Sequence, residues 1–378
     1  MSMTPTDEEA MLAASAGEFL ARRAAPKDLR SLRDERVALG FRAELWHEMA
    51  GMGWAGMLVD EQHGGSGFGH FGSSLLCMEM GRQLSASPFL STAVMGALAL
   101  RGAKPGPRER WLRRIADGDA IVALAVDEDR RHAPARTRLA ATRDGEGFVL
   151  QGEKRFVIDG QAADAFVVAA RTAGRPGDAQ GLSLFLVEAA QPGLAVRPLD
   201  MVDSRAAAVV TLDGVRVRPD DALGPIGQAG PLLEEVLDAG RLALAAELAG
   251  IADEVLRRTT DYLKQRRQFG QPIGSFQALQ HRAAELHCQV ELARSVVLRA
   301  ARLRDRGDPR AGLHASVAKA KAGEVARRTT EEAVQLHGGI GMTDELDIGL
   351  FLKRARVAGA LLGDRDFHAD RVATLLDF

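Results

Sequence analysis

The sequence predicts an α+β multidomain protein with a helical N-terminal part, a central antiparallel β-sandwich or barrel, and a helical C-terminal part. Apolar residues recur at helical spacing near both ends of the chain. Between these ends lie short apolar runs separated by polar turns, with no helical stretch between successive runs. The length of 378 residues also suits several domains. We therefore predict domains at residues 1–118, 119–225 and 226–378.

The N-terminal part is predicted to be helical from Asp7 to about Ala116. The apolar positions that support helices are Met11, Leu12, Phe19, Leu20, Leu45 to Met52, Leu75 to Met80 and Trp111 to Ile115. Glycine and proline predict loops at residues 61–69 and 103–107. This part is therefore expected to consist of several helices joined by short loops.

The middle part is predicted to be all β. The runs that predict strands are Ile121 to Val126, Phe148 to Leu150, Phe156 to Ile158, Phe166 to Ala169, Leu182 to Val187, Ala207 to Leu212 and Val215 to Val217. The stretches RDGEG and TAGRPGDAQG between them are typical of turns. Strands that follow one another in this way favour antiparallel pairing.

The C-terminal part is predicted to be helical with one break. A helical pattern that includes Val255 and Leu263 ends at the glycine- and proline-containing residues 269–274, and a second helix is predicted from Phe276. The segment around the break, YLKQRRQFGQPIGSFQALQHR at residues 262–282, is rich in arginine, glutamine and aromatic side chains. It is suited to bind an anionic ligand that carries a ring.

Composition excludes several classes of partner. The 49 basic and 51 acidic residues give a formal net charge of -2, so no overall field recruits nucleic acid or an anionic membrane. The polar, acidic N-terminus does not read as a secretion signal, and no apolar run approaches the roughly 20 residues of a membrane span. We expect a cytoplasmic protein whose partners are small molecules or other subunits.

Cysteine and histidine give no sign of a metal site. Cys77 and Cys288 are the only cysteines, and they lie far apart without metal-ligand spacing, which favours packed thiols in a reducing compartment. The histidines considered as catalytic groups or ligands are His132, His281, His337 and His368. Scattered histidines are usually surface or packed residues, so none is predicted to be catalytic or to bind a metal.

Two motifs resemble those of a known family. The first consists of Tyr262, Arg266, Phe269, Gly270, Pro272, Ile273, Phe276 and Gln277, and the second is QLHGGIGMTDE at Gln335 to Glu345. With the order helical, β, helical, they make nearly the whole chain similar to the acyl-CoA dehydrogenase family. The resemblance implies a C-terminal four-helix-bundle domain, FAD as cofactor, and removal of two hydrogens from an acyl-CoA thioester. It also implies a dimer or tetramer, and an electron acceptor such as electron-transfer flavoprotein.

The resemblance further implies which residues contact FAD. The implied cofactor-binding residues are Arg266, Phe269, Phe276, Gln277, Gln335, Gly338 and Gly339. A guanidinium can donate two hydrogen bonds to a pyrophosphate, and glycines let a backbone approach a dinucleotide closely. In the family, this half of the site reaches across the subunit interface to the FAD held mainly by a neighbour.

The family's catalytic base is missing from its usual positions. The resemblance places Leu362 at the common glutamate position, and leucine cannot accept a proton. A minority of members keep the base just before an arginine on the first C-terminal helix, which here is Gly240 before Arg241. Arg241 is a candidate for substrate binding, and the base itself is unknown. Asp364 is the first candidate for a displaced base and Asp238 the second; a helix cap or a loop salt bridge is the alternative role for Asp364.

The implied contacts to the flavin ring are also altered. The two family loops correspond to Val126-Asp127-Glu128 and to residues 156–160. Val126 and Ile158 stand where hydroxyl side chains would contact the isoalloxazine. Phe156 remains as an aromatic residue that either lies against a flavin or belongs to the sheet core.

This combination resembles the small subunits of two-component bacterial acyl-CoA dehydrogenases, of the pimeloyl-CoA dehydrogenase small-subunit type. The residues that reach a partner's FAD are present, whereas those that serve the chain's own flavin and substrate are degraded. The first hypothesis is therefore a subunit that completes a shared FAD site with a catalytic partner. The alternatives are a self-sufficient dehydrogenase with Asp364 as the base, and a non-redox binding or scaffold protein that keeps the fold.

Overall fold

The computed structural model describes residues 3–378. The chain divides into two compact units, each assembled from separated stretches. Unit 1 contains the N-terminal segment up to Arg30, His70–Ser85 and Arg241–Phe378, and unit 2 contains Ser31–Gly69 and Ala86–Gly240. The predicted domain limits at residues 118 and 225 follow the order of the chain and stay a prediction.

Helices occupy both ends of the chain, which confirms the predicted fold class. The α-helices are α1 Asp7–Arg23, α2 Pro26–Asp34, α3 Ala43–Gly51, α4 Gly69–Gln83, α5 Ala97–Ala99, α6 Pro105–Ala116, α7 Gly230–Gln265, α8 Gln277–Asp305, α9 Ala311–His337, α10 Ile348–Ala360 and α11 Arg365–Leu375. A π-helical segment, Phe89–Gly96, leads into α5. None of the helices within residues 3–378 combines the length and the apolar character needed to cross a membrane.

In unit 1, close helix contacts depend on glycine. A Cβ atom at Gly81 of α4 would lie 2.1 Å from the Glu247 carbonyl oxygen of α7, and one at Gly250 would lie 2.0 Å from the Met78 carbonyl oxygen. Both distances are far below van der Waals contact, so only glycine lets α4 and α7 approach this closely. Helix α9 packs against α8, α10 and α11 in the same unit.

Unit 2 is built around one seven-stranded sheet in the order β1-β4-β2-β3-β7-β6, with β5 paired to β4. Its strands are β1 Val122–Ala125, β2 Ala140–Asp144, β3 Gly147–Ile158, β4 Ala165–Arg171, β5 Leu182–Glu188, β6 Leu194–Pro198 and β7 Ala207–Val217. Most neighbours are antiparallel, as predicted, but β1 and β2 each pair with β4 in parallel. The β2–β3 hairpin lies between β1 and β4 in sequence, so the chain returns to β1 in the same direction.

The sequence-based strands differ from the sheet in two ways. Strands β2 and β6 were not predicted, because most of their residues are exposed and their apolar stretches, residues 140–141 and 194–196, are short. The runs at Phe148 and Phe156 belong to the single strand β3, since the polar residues between them pair with β7. Likewise, the two runs predicted between residues 207 and 217 form the single strand β7.

Candidate functional site

A strained, exposed aromatic residue stands at the tip of a hairpin in unit 1. After α7, strands β8 Arg267–Gln268 and β9 Gln271–Pro272 pair around the two residues Phe269 and Gly270. Both have positive φ, at 53° and 82°, as a type I′ turn requires. Such turns favour Asn, Asp or Gly, and a bulky side chain in this conformation is an outlier. Phe269 is nevertheless 90% exposed, and its ring meets only the edge of Phe276, with centroids 6.0 Å apart.

Arg266 combines a fixed backbone with an available guanidinium. Its N–H donates to the Tyr262 carbonyl at 2.8 Å, and its carbonyl accepts from the Ile273 N–H at 2.8 Å. The side chain is exposed and makes no hydrogen bond or ion pair to any residue within 3–378. Its neighbour Arg267 instead donates to the Gly270 carbonyl at 3.1 Å. The Arg266 guanidinium is thus positioned to bind an external anion.

The second motif forms the end of α9 and the turn after it. Gly338 ends the helix with φ 67° and ψ -144°, a conformation that requires glycine. A Cβ atom at Gly339 would meet no heavy atom within 4 Å, so the fold of this chain does not require glycine there. Gln335 is exposed, and Met342 is 79% exposed. The open surface leaves room for a ligand or a partner chain.

A stacked pair joins the two motifs. The rings of Tyr262 and His337 lie 4.3 Å apart at 29°, and the Tyr262 hydroxyl donates to the His337 carbonyl at 3.3 Å. His337 Nδ1 donates to the Ala333 carbonyl at 2.8 Å, and burial lowers the pKa of the ring. His337 is therefore packed against the end of α7, immediately before Gly338. Sequence reasoning missed this pair, although Tyr262 is the only tyrosine of the chain.

The turn that contains Leu362, where the resemblance places the catalytic base, is ordered and apolar. Leu362 is buried with φ 55°, and its carbonyl accepts from Arg241 Nε at 3.3 Å. Lys319 of α9 donates to the carbonyls of Gly359 at 2.9 Å and Gly363 at 3.1 Å. Burial and the nearby Arg241 lower the pKa of Lys319 to about 7. Two buried basic side chains thus bind the backbone of a turn whose central side chain cannot accept a proton.

The other base candidates have structural surroundings. Asp364 is the N-cap of α11, and its Oδ1 accepts from the Phe367 N–H at 2.9 Å. Asp238 and Gly240 are buried in α7. Arg241 is fully buried, with its guanidinium 5.5 Å from the Phe367 ring centroid. The cap explains the conformation of Asp364 without a catalytic role, and the substrate-binding role of Arg241 stays a prediction.

A buried ion pair lies in the same unit. Arg354 donates to both oxygens of Glu247, at 2.7 Å and 2.8 Å, and both side chains are almost fully buried. Bidentate pairs of this kind fix the geometry of the helices that carry them. The pair joins α7 to α10, and no motif in the sequence predicts it.

In unit 2, the two predicted flavin loops are also ordered. Phe156 is half-buried with φ 52°, and Ile158 is half-buried beside it. Asp159 has φ 54°, and its buried carboxylate accepts from Ser91 Oγ at 2.7 Å. Val126 is buried, and its side chain has no polar atom. Phe156 therefore differs from a regular core residue in both its exposure and its backbone.

The other three histidines considered as candidates have structural partners or lie on the surface. His132 Nδ1 lies 2.9 Å from Asp127 Oδ1, and His368 Nδ1 lies 3.2 Å from Ser316 Oγ. His281 is exposed on α8. Residues 3–378 contain no group of three or more His, Cys, Asp or Glu side chains arranged to hold a metal ion.

Comparison with known proteins covers almost the whole chain. Family models match the N-terminal domain of acyl-CoA dehydrogenases at residues 6–119, the middle domain at 128–215 and the C-terminal domain at 230–376. Acyl-CoA dehydrogenase FadE12 of Mycobacterium tuberculosis is 33% identical over 322 residues, which are 84% of this chain and 83% of the relative.

Two solved structures share the fold over the full length. Butyryl-CoA dehydrogenase from Megasphaera elsdenii has a TM-score of 0.91 and 26% identity, with 100% of both chains covered. A chain of the ChsE4-ChsE5 complex from Mycobacterium tuberculosis has a TM-score of 0.89 and 27% identity, with 100% of this chain and 99% of that chain covered. The matched family models and the relative above 30% identity lead to one conclusion: this chain belongs to the acyl-CoA dehydrogenase family.

Proposed function

We propose that this chain is an FAD-dependent acyl-CoA dehydrogenase subunit that completes a shared FAD site with a catalytic partner subunit. The reaction of the assembly is the α,β-desaturation of an acyl-CoA thioester. The observation that carries the proposal is Phe269, a large apolar side chain that is 90% exposed in an unfavourable backbone conformation. In an isolated chain the unfavourable backbone conformation lowers stability, and a ring that is mostly exposed contributes little packing in return. A partner subunit would bury the ring.

The residues around Phe269 fit the dinucleotide end of FAD. The unpaired guanidinium of Arg266 would bind the pyrophosphate with two hydrogen bonds. The open surface at Gly338 and Gly339 would let the backbone approach the cofactor, and the exposed amides of Gln277 and Gln335 would add polar contacts. FAD, when bound, supplies the hydride acceptor for the β-carbon of the substrate. Electron-transfer flavoprotein is the proposed acceptor that reoxidises it.

The lack of a carboxylate at the family's base positions supports a complex in which the partner subunit supplies the catalytic base. Desaturation requires a carboxylate near the α-carbon whose pKa lies close to the working pH. Leu362 cannot act as that group, Gly240 has no side chain, and Asp364 caps a helix. The proton is therefore proposed to pass to a carboxylate of the partner subunit. The similarity to a chain of ChsE4-ChsE5, a complex of two named chains, supports an assembly of two kinds of subunit.

The visible spectrum of the protein tests the proposal. The chain is purified alone and after co-expression with a candidate large-subunit acyl-CoA dehydrogenase. We expect little FAD in the isolated chain, stoichiometric FAD in the complex, and bleaching of the flavin by acyl-CoA only in the complex. An isolated chain that binds stoichiometric FAD and desaturates acyl-CoA contradicts the proposal. A colourless complex would instead favour the non-redox scaffold.

A further inference from the structure

A completely buried lysine connects two segments of unit 2. Lys154 of β3 is 0% exposed, and its Nζ donates to the Val126 carbonyl at 2.9 Å and to Glu128 Oε1 at 2.7 Å. The Glu128 carboxylate also accepts from the backbone N–H groups of Arg138 and Leu139, each at 2.9 Å. We call Lys154, Glu128 and the Val126 carbonyl the loop clamp. It ties β3 to both ends of the loop at residues 126–139.

The clamp is not explained by stability alone. Burial lowers the pKa of Lys154 to about 8, although Glu128 opposes this shift. An apolar side chain of similar volume would fill the same space without the desolvation penalty. Charge-assisted hydrogen bonds do, however, fix the positions of the groups they join. A required loop conformation therefore accounts for the buried pair better than a gain in stability.

The strand is irregular immediately after the clamp. The pairing of β3 with β7 shifts register between Lys154 and Val157, so Arg155 and Phe156 form a β-bulge. Bulges of this kind redirect side chains and occur frequently beside functional sites. The Arg155 N–H donates to the Asp127 carbonyl at 2.7 Å, so the clamped loop also contacts the bulge itself. Phe156 has φ 52°, a conformation that a bulky residue keeps only where its surroundings fix it.

We infer that Lys154 is a positioning residue which, through Glu128 and the Val126 carbonyl, fixes the bulge so that Phe156 presents its ring to a planar aromatic ligand. Phe156 is half-buried and not enclosed in the core, and aromatic rings stack favourably on other ring systems. The identification of the ligand as the isoalloxazine of FAD rests on the proposed function. In this proposal, Phe156 supplies unit 2 with one contact to the flavin ring, although Val126 and Ile158 carry no hydroxyl group that could contact the ring.

The first test measures amide hydrogen exchange in the full chain. Lys154→Met removes the clamp, Glu128→Gln weakens it while keeping the side-chain size, and Ser183→Ala is the control. Ser183 is a buried residue of the same unit that contacts Thr172 Oγ1 at 2.9 Å and the Gly227 N–H at 2.8 Å. Loss of a charge-assisted hydrogen bond predicts roughly tenfold faster exchange in the loop for Lys154→Met.

The amides that report the clamp are those of Arg138, Leu139 and Arg155. We expect Glu128→Gln to speed their exchange less than Lys154→Met, and Ser183→Ala to leave it unchanged. If these amides exchange alike in Lys154→Met and in the control, the inference is overturned. Should Lys154→Met fail to fold, Glu128→Gln decides the same question.

The second test measures FAD in the complex with the partner subunit. Lys154→Met is expected to weaken FAD binding about tenfold and to alter the shape of the visible flavin band, since the stacking ring is no longer fixed. Ser183→Ala is expected to leave both unchanged. Faster exchange with an unchanged spectrum and unchanged affinity reduces Lys154 to a structural residue, and so overturns the inference.

The two proposals fail in different ways. If the wild-type complex binds no FAD, the proposed function is wrong, and so is the identification of the ligand as the isoalloxazine. If the wild-type complex binds FAD and Lys154→Met binds it equally well with the same spectrum, only the positioning role is wrong.

Discussion

Phe269→Asn is expected to affect the stability of the isolated chain and its association with a partner subunit in opposite directions. Asparagine tolerates the left-handed conformation in which the phenylalanine is held, and relief of that strain is worth about 1 kcal/mol. The mutation removes one edge contact with Phe276, worth about 0.5 kcal/mol at such an exposed site. Because the ring is 90% exposed, almost no buried surface is lost. We expect the free energy of unfolding to stay constant or to rise by up to about 1 kcal/mol.

Assembly is expected to respond in the opposite direction. Burial of a phenylalanine against a partner contributes about 2 to 3 kcal/mol, so the subunit dissociation constant should rise about 30- to 150-fold. Urea unfolding of the isolated chain gives the first quantity, and sedimentation with FAD absorbance gives the second. Met11→Gln is the matched control, because Met11 of α1 is 65% exposed and lies outside both motifs. The reasoning is refuted if Phe269→Asn destabilises the isolated chain by more than about 2 kcal/mol, the range for a buried aromatic residue, or leaves assembly intact.

Three further substitutions test the site. Burial lowers the pKa of Lys319 from its ordinary value of 10.5 to about 7, so the desolvation penalty is complete below pH 7 and fades as the pH rises. Between pH 7 and 9 the wild type should therefore gain about 2 kcal/mol relative to Lys319→Met in urea unfolding, and equal pH slopes would contradict this. Asp364→Asn should keep the cap and flavin reduction in the complex, whereas Asp364→Ala should lose about 1 kcal/mol in thermal unfolding. Loss of flavin reduction in Asp364→Asn would restore Asp364 as the base. Tyr262→Phe should lose at most about 1 kcal/mol of stability and several-fold in FAD affinity of the complex; unchanged affinity would show that the hydroxyl does not help to place Gly338.

The parts of the site that follow from the sequence are those encoded within one short segment. The residues from Tyr262 to Gln277 form one hairpin and one helix start, so the motif predicts its own local geometry. The helical and β parts follow from periodicity for the same reason. Strand β6 was not predicted, because its apolar stretch at residues 194–196 is short and is followed at once by Arg197 and Pro198.

Contacts between distant segments were not predictable from the sequence. Arg241 and Leu362 are separated by 121 residues, and Lys319 and Gly363 by 44. Periodicity reports which face of a helix is buried, but it does not report which carbonyl a buried lysine will bind. Positive φ at a phenylalanine is equally hidden, because local propensity predicts a different residue there.

Leu362, Phe156 and Phe269 are three of the bulky residues with positive φ. They differ in how well contacts within the chain stabilise the strained backbone. At Leu362 the strained backbone is stabilised within unit 1, because Arg241 binds its carbonyl. At Phe156 the clamped loop stabilises the bulge within unit 2. At Phe269 the ring has only an edge contact with Phe276, and most of its surface faces solvent. A strained conformation persists only when something over-determines it, and for Phe269 the contacts made within this chain are the weakest of the three. The hairpin tip is therefore where a second subunit has the most to contribute.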